Sequence, residues 1–343
     1  MPPDGGMVVN MSKIALIYPG QGAQHAGMGK EFFDAYESVR QRFSECSELL
    51  SCDMQELCFT ENDRLDETQY TQPAMVLMEL ALTEVVKKEL GIRQDGGAAE
   101  DADARKSSIA YSAGLSLGEY AAVAETGAMS FADAVRTVAA RGRLMAETVP
   151  SGQGAMTAVL GLSGEKIEEV LAPIEFADIA NYNCPGQIVI TGETKAVGAA
   201  GEALLKAGAK KCIPLRVSGP FHSPLLAPAG EKLWEVLRSI SFRKPSHPYF
   251  ANVTAKPVSE AAEIPELLKK QVSSSVRWQQ SVEGMLADGV DTWIEIGPGK
   301  TLTGFMRKIL KEYASKTGAD VSGIRTFSVE TPDDLAKLKT ELS

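Results

Sequence analysis

One short run constrains this chain more than any other. Gly114-Leu115-Ser116-Leu117-Gly118 stands between an apolar, β-prone stretch at 109–113 and an alanine-rich helical pattern at 119–125. A strand that turns sharply into a helix forces the intervening serine onto an elbow with its hydroxyl exposed. A Cβ at position 114 or 118 would crowd that turn or the helix–strand contact, so both glycines have a steric reason. The run therefore predicts a nucleophilic serine at 116; the plainer alternative is an ordinary β–α turn.

The rest of the chain extends this β–α alternation. An apolar strand at 14–18 runs into Pro19-Gly20-Gln21-Gly22-Ala23-Gln24, and helical patterns follow at 28–50 and 72–90. The polar, glycine-bearing stretch at 94–106 reads as a mobile surface loop. Strands alternating with helices predict an α/β domain with a mostly parallel sheet. From Pro150 the order changes to strand 155–160, helix 164–171, strands 179–183 and 187–191, helix 194–207 and strand 211–217. That β-α-β-β-α-β order is ferredoxin-like. The expected organisation is a larger hydrolase-like α/β domain in two parts, 11–149 and 219–343, with a ferredoxin-like α+β subdomain inserted at 150–218. The α/β pattern resumes after Pro220 and its core is expected to end at 292–299.

Composition removes several function classes. With 343 residues, 44% hydrophobic and 23% charged, the chain has material for two domains and a real core. No apolar run approaches the ~20 residues of a membrane span, and residues 1–10 read as a loose leader rather than a secretory signal. A formal charge of −10 without a dense basic stretch argues against nucleic acid as a partner. Lys210-Lys211 with Arg216, and Arg307-Lys308 with Lys311, are modest basic clusters that read first as solvated faces. The five cysteines are odd in number and lack CxxC or metal-ligand spacing, so they read as reduced thiols of a cytoplasmic protein with no metal. Two glycine loops fail as nucleotide sites. In Gly20-Gln21-Gly22 the third glycine of a dinucleotide loop would fall at His25, and the P-loop glycine required before Gly299-Lys300-Thr301 is Ile294.

A serine hydroxyl needs a base, and histidine is the usual one. The three candidates are His25, His222 and His247. His247, between Ser246 and Pro248, reads as structural, and His25 as a surface loop residue. His222 lies in Ser218-Gly219-Pro220-Phe221-His222-Ser223-Pro224, a loop held in a restricted path, where catalytic groups are often placed. Spacing alone leaves the choice open.

Together these motifs resemble the malonyl-CoA:acyl carrier protein transacylases. Pro19-Gly20-Gln21-Gly22-Ala23-Gln24, Gly114-Leu115-Ser116-Leu117-Gly118-Glu119-Tyr120, Ala140-Arg141-Gly142, Gly219-Pro220-Phe221-His222, Asn252-Val253 and Glu295-Ile296-Gly297-Pro298-Gly299 occur in the family's order, covering 12 to about 311. The resemblance implies that Ser116 attacks a malonyl thioester and His222 takes its proton. It implies that the backbone carbonyl of Gln271 orients the imidazole, without a carboxylate, so that Gln271→Ala would be mild. The backbone amides of Gln21 and Leu117 would form the oxyanion hole. Arg141 would grip the free carboxylate of malonate through two parallel hydrogen bonds, and acetyl would leave it unpaired. Phe221 would limit the α-substituent, and Asn183 would face the cleft or only hold the turn before Gln187. Leu115 departs from the histidine that many members carry before the nucleophile.

The implied activity is ping-pong transfer of malonyl from coenzyme A to the phosphopantetheine thiol of acyl carrier protein, for fatty-acid synthesis. The implied enzyme is a cytoplasmic monomer with no cofactor beyond coenzyme A as part of the substrate, and with no nucleic-acid or membrane partner. An acidic carrier would bring one basic cluster to the cleft mouth. An α/β-hydrolase esterase or thioesterase would instead carry an acid and a histidine late in the chain, yet the last histidine is His247. A polyketide acyltransferase has the same chemistry with another carrier. A non-catalytic carrier-binding module would not need Ser116, His222 and Arg141 together.

Overall fold

Ile14, Leu16 and Tyr18 pack into one apolar cluster, while Ala15 and Ile17 pack into another. A strand buried on both faces belongs inside a parallel sheet that helices cover on either side. The computed structural model shows that arrangement and describes residues 12–92, 107–150, 152–217 and 219–342. The leader expected at 1–10 and the loop at 94–106 lie outside the described residues.

The first part of the chain runs β1 (Ser12–Tyr18), α1 (Lys30–Ala35), α2 (Glu37–Leu50), α3 (Met54–Phe59), α4 (Thr68–Glu89), β2 (Ser107–Gly114), α5 (Gly118–Glu125) and α6 (Phe131–Thr148). The middle runs β3 (Gly154–Leu160), α7 (Gly164–Leu171), β4 (Ala177–Cys184), β5 (Gln187–Glu193), α8 (Thr194–Lys206) and β6 (Lys211–Pro214). The last part runs α9 (Ala227–Leu237), β7 (Tyr249–Ala251), β8 (Lys256–Val258), α10 (Ile264–Gln271), α11 (Trp278–Ala287), β9 (Thr292–Ile296), α12 (Thr301–Thr317), β10 (Arg325–Val329) and α13 (Pro332–Leu342).

The larger sheet has the order β10-β9-β1-β2-β7-β8, parallel throughout except for β8 against β7. The smaller sheet has the order β4-β5-β3-β6 and is wholly antiparallel, the ferredoxin-like arrangement, with an apolar cluster of its own around Ile167, Ile188, Ile190 and Leu204. The α/β class and the inserted ferredoxin-like pattern agree with the sequence reading. Val276, just before α11, bridges to β4 of the smaller sheet: its N–H donates to Ala180 O at 2.8 Å and its carbonyl accepts from Tyr182 N–H at 2.9 Å.

Register positions the site. Tyr18 is paired with Gly114, so the loops leaving β1 and β2 emerge side by side at the carboxyl ends of the strands. That edge is where open α/β sheets bind ligands.

Three expectations are corrected. The helix expected over 28–50 is two, broken at Tyr36, where the backbone is extended and Arg40 donates to the carbonyls of Phe33 and Asp34. Helix α4 starts at Thr68 rather than Gln72, with Pro73 inside it. The core does not end at 299, because β10 adds an edge strand beside β9. Four of its five residues are only partly buried, so its hydrophobic pattern is weak.

A buried charge cluster ties the elements behind the elbow together. Lys87 Nζ of α4 donates to Glu125 Oε1 at 2.8 Å, Glu125 Oε2 lies 3.0 Å from His247 Nε2, and the Ser112 hydroxyl of β2 also donates to Glu125. Burial alone would raise the Glu125 carboxyl, but His247 and then Lys87 outweigh it and hold it at about 2. A carboxyl depressed by folding contributes stability above its ordinary pKa and loses it as pH falls toward the folded value. Lys87→Met is therefore expected to lower unfolding free energy by roughly 3 kcal/mol at pH 7, because it strips a partner from a buried carboxylate. Urea titrations at pH 7 and pH 3 check this; the deficit should shrink in acid.

Candidate active site

The elbow is built from close backbone contacts. A Cβ on Gly114 would meet Gly118 backbone at 1.9 Å, and one on Gly118 would meet Tyr18 O at 2.3 Å. Both glycines are therefore required by helix α5 lying against β1 and β2. Ser116 sits at the turn with φ 53°, a conformation that L side chains seldom adopt. Two amide side chains hold it there. Asn252 Oδ1 accepts from Ser116 N–H at 2.7 Å while its Nδ2 donates to Gly114 O at 2.7 Å. Gln271 Nε2 donates to Ser116 O at 2.6 Å.

His222 is the histidine brought to the serine. Its Nε2 lies 2.6 Å from Ser116 Oγ, and its Nδ1 faces the carbonyls of Gln271 at 2.9 Å and Ser274 at 3.2 Å. Two carbonyl acceptors place the proton on Nδ1 and leave Nε2 as the base. His222 also has positive φ, 60°, in the loop where Ser223 Oγ accepts from Leu225 N–H. His25 is exposed and pairs with Glu330, and His247 belongs to the Glu125 cluster.

Burial, and then the charge of Arg141, push the His222 pKa down to about 4 against the pull of the two carbonyls. The imidazole is accordingly neutral and able to accept a proton at any pH well above 4. The acid limb of the Ser116 acylation rate is expected near pH 4–5 rather than at the ordinary value of 6.5. Arg141→Ala should move that limb upward; a pH–rate profile of single-turnover acylation checks both.

Arg141 is 1% exposed on α6, facing α4 and the elbow. The helices approach closely because Gly142 has no side chain: a Cβ there would meet Thr68 O at 2.6 Å. Arg141 Nη1 donates to Gln72 Oε1 at 2.9 Å, and Nη2 donates to Gln271 Oε1 at 3.0 Å and to Ser116 Oγ at 3.2 Å. Its Nε has no partner among the described residues. The direct partners are neutral oxygens, so a buried cation beside the hydroxyl lacks a directly bonded counter-ion. Such a cation can take an anion as its partner.

Ser116, Arg141, Phe221, His222, Gln21 and Asn183 line one cavity of about 220 Å³ between the two sheets. Gly20, Gly22, Ala23, Leu115, Met145, Thr301 and Phe305 complete its larger-domain wall, and Met156, Asn181, Val189, Leu215 and Val217 come from the smaller side. Asn183 Oδ1 is buried without a partner there. Gln271 and Leu117 do not line the cavity. Gln271 lies wholly buried beneath it, and the Leu117 side chain is in the core, leaving only its backbone near the elbow. Ser116 N–H is committed to Asn252 and cannot serve an oxyanion, whereas the N–H groups of Gln21 and Leu117 have no acceptor among the described residues. The expectation that only the Gln271 carbonyl matters is corrected, because its side chain bonds the nucleophile, Arg141 and Glu119.

The comparisons agree with one another. Residues 15–333 match the model of the acyl transferase domain family. The malonyl CoA-acyl carrier protein transacylase of Bacillus subtilis is 43% identical over 330 residues, covering 95% of this chain and 96% of the relative. The chain belongs to this transacylase family. The Escherichia coli K12 transacylase is 40% identical over 306 residues, 88% of this chain and 94% of the relative. Among solved structures, an acyl carrier protein S-malonyltransferase from Vibrio cholerae superposes with TM-score 0.85 at 35% identity, covering 95% of this chain and all of the other. A malonyl-transacylase solved in complex with its type II PKS acyl-carrier protein gives the same TM-score and identity over 96% of this chain.

Two residues of this transacylase's site carried no expectation from sequence. Gln72 had a signal, a lone amide at the start of the apolar run 73–78. Asn252 stood in a quoted motif, but its task of pinning the elbow from 136 positions away had no local sign.

Proposed function

We propose that the enzyme transfers malonyl from coenzyme A to the phosphopantetheine thiol of acyl carrier protein, through a malonyl ester on Ser116, for fatty-acid synthesis. The observation that carries this reading is Arg141 Nη2 at 3.2 Å from Ser116 Oγ, with neutral oxygens as its direct hydrogen-bond partners. A malonyl thioester has its carboxylate two carbons from the carbonyl under attack. The guanidinium can therefore meet the carboxylate while the hydroxyl meets the carbonyl.

Ser116 Oγ attacks the thioester carbon as its proton passes to His222 Nε2, and the oxyanion forms against the N–H groups of Gln21 and Leu117. The carbon–sulfur bond breaks, and His222 returns the proton to the departing thiolate. The carrier's thiol then reverses these steps: His222 takes its proton, sulfur attacks the ester carbon, and His222 returns the proton to Ser116 Oγ as the acyl–oxygen bond breaks. Because His222 is held by carbonyls, no carboxylate partner is needed, which separates this site from the esterase triad. Phe221, buried in the cavity wall, restricts the α-carbon, and Asn183 offers a free acceptor to the thioester arm. Acetyl would not leave Arg141 unpaired, since Gln72 and Gln271 already satisfy two of its donors; selectivity rests on the missing counter-charge.

Arg216 is exposed and adjoins Leu215, which lines the cavity, so it borders the mouth and suits an acidic carrier, whereas Lys210 and Lys211 lie at the other end of β6 beside Leu160. The contribution of Arg216 predicts faster transfer to the carrier at low salt. The enzyme is read as a cytoplasmic monomer; no helix of the described residues is long and apolar enough to cross a membrane. Incubation with malonyl-CoA followed by peptide mapping tests the reading. The expected adduct lies on the peptide holding Ser116, and acylation elsewhere or none at all would reject it.

A further inference from the structure

We infer that Glu119 is a positioning residue: it holds the Gln271 amide in one orientation and thereby sets how Arg141 faces the acyl group. The inference rests on the malonyl reading of Ser116 and Arg141.

Glu119 is wholly buried in the first turn of α5 and does not line the cavity, so it touches neither substrate nor reacting atoms. A buried carboxyl needs a reason to be there, since desolvation disfavours it. Here its Oε2 accepts from Gln271 Nε2 at 2.8 Å, while Oε1 has no partner among the described residues. Gln271 Nε2 also donates to Ser116 O at 2.6 Å, which uses both amide hydrogens.

An amide has two ends of opposite character. With Nε2 committed to these two acceptors, Gln271 Oε1 points to Arg141 Nη2, which donates to it at 3.0 Å. Reversal would set the amide oxygen against two acceptors and its N–H groups against those of Arg141. The Ser116 carbonyl divides its two lone pairs between Gln271 Nε2 and Glu119 N–H, the latter at 3.2 Å, and Glu119 Oε2 supplies the second acceptor for the amide. The same Gln271 orients His222 through its backbone carbonyl. One buried amide therefore joins nucleophile, base and anion clamp, and Glu119 is the side chain that, with the Ser116 carbonyl, fixes which way round it lies. Burial raises the Glu119 carboxyl to about 8 despite Gln271, the Asn252 backbone and Arg141. Both of its forms therefore occur near neutrality, and each still offers an acceptor.

Three substitutions separate the acceptor from the carboxyl. Glu119→Gln keeps an oxygen that can face Nε2, Glu119→Asp keeps the carboxyl but falls short by a methylene, and Glu119→Ala removes both. The assay is kcat and KM with malonyl-CoA and acetyl-CoA, on protein shown to be folded by circular dichroism. E119D and E119A are expected to lower the malonyl-to-acetyl ratio of kcat/KM by about tenfold or more, mainly through the malonyl KM. E119Q is expected to keep the ratio within about threefold of the parent. A merely structural role would lower thermal stability in all three and leave the ratio alone. An unchanged ratio in E119D, or a loss in E119Q as large as in E119D, overturns the inference, and this pair decides should E119A not fold. A parent enzyme with no malonyl preference would instead overturn the reading of Arg141 itself.

Discussion

Ser116→Ala is expected to eliminate the malonyl adduct and to lower transfer to the carrier thiol by roughly 10⁴-fold or more. The size follows from the covalent step: without Oγ there is no ester, and direct attack by the carrier's thiol would need it to occupy the nucleophile's place. The remaining site should be nearly undisturbed. Asn252 and Gln271 hold the backbone of residue 116 rather than its hydroxyl, and Arg141 keeps its bonds to Gln72 and Gln271. Malonyl-CoA should therefore still bind, with an affinity within several-fold of the parent. No cysteine lines the cavity, so no thiol stands where the missing hydroxyl stood. Intact mass after incubation, with equilibrium binding alongside, checks both halves; a persisting malonyl mass on the variant would refute the nucleophile assignment.

Arg141→Ala should lower kcat/KM for malonyl-CoA by about 10²–10³-fold while leaving acetyl-CoA little changed or improved. A buried charged hydrogen-bonded pair loses about 3–4 kcal/mol when one partner is truncated. Acetyl makes no such pair, so the effect appears as a collapse of selectivity. Arg141→Lys should not restore it, because one ammonium cannot address Gln72, Gln271 and the substrate carboxylate in the plane of a guanidinium. The parallel measurement is the malonyl-to-acetyl ratio in both variants; a retained ratio in Arg141→Ala would remove the clamp. The acid limb set by His222 gives a second readout from the same protein, since the cation that grips malonate also helps keep the imidazole neutral.

Much of this was legible before folding was considered. The Gly114–Gly118 elbow, the strands around it and the β-α-β-β-α-β run are local patterns, and local sterics and hydrophobic periodicity set them whatever lies elsewhere. The edge strand β10 and the break at Tyr36 were not legible. The first is half exposed, so its apolar pattern is diluted, and the second depends on Arg40 folding back onto carbonyls six and seven residues earlier.

The site divides along the same line. Sequence by itself determined that Ser116 must stand on a tight turn, because only its neighbours enter that geometry. Spacing left the choice among three histidines open, and tertiary structure brings His222 to it from 106 positions away. Tertiary structure also decided that Gln72, Asn252, Glu119 and the side chain of Gln271 form the frame around Arg141. The reason is physical. A hydrogen bond between distant residues has no imprint on local spacing, and a charge acquires its strength only when folding removes the water around it.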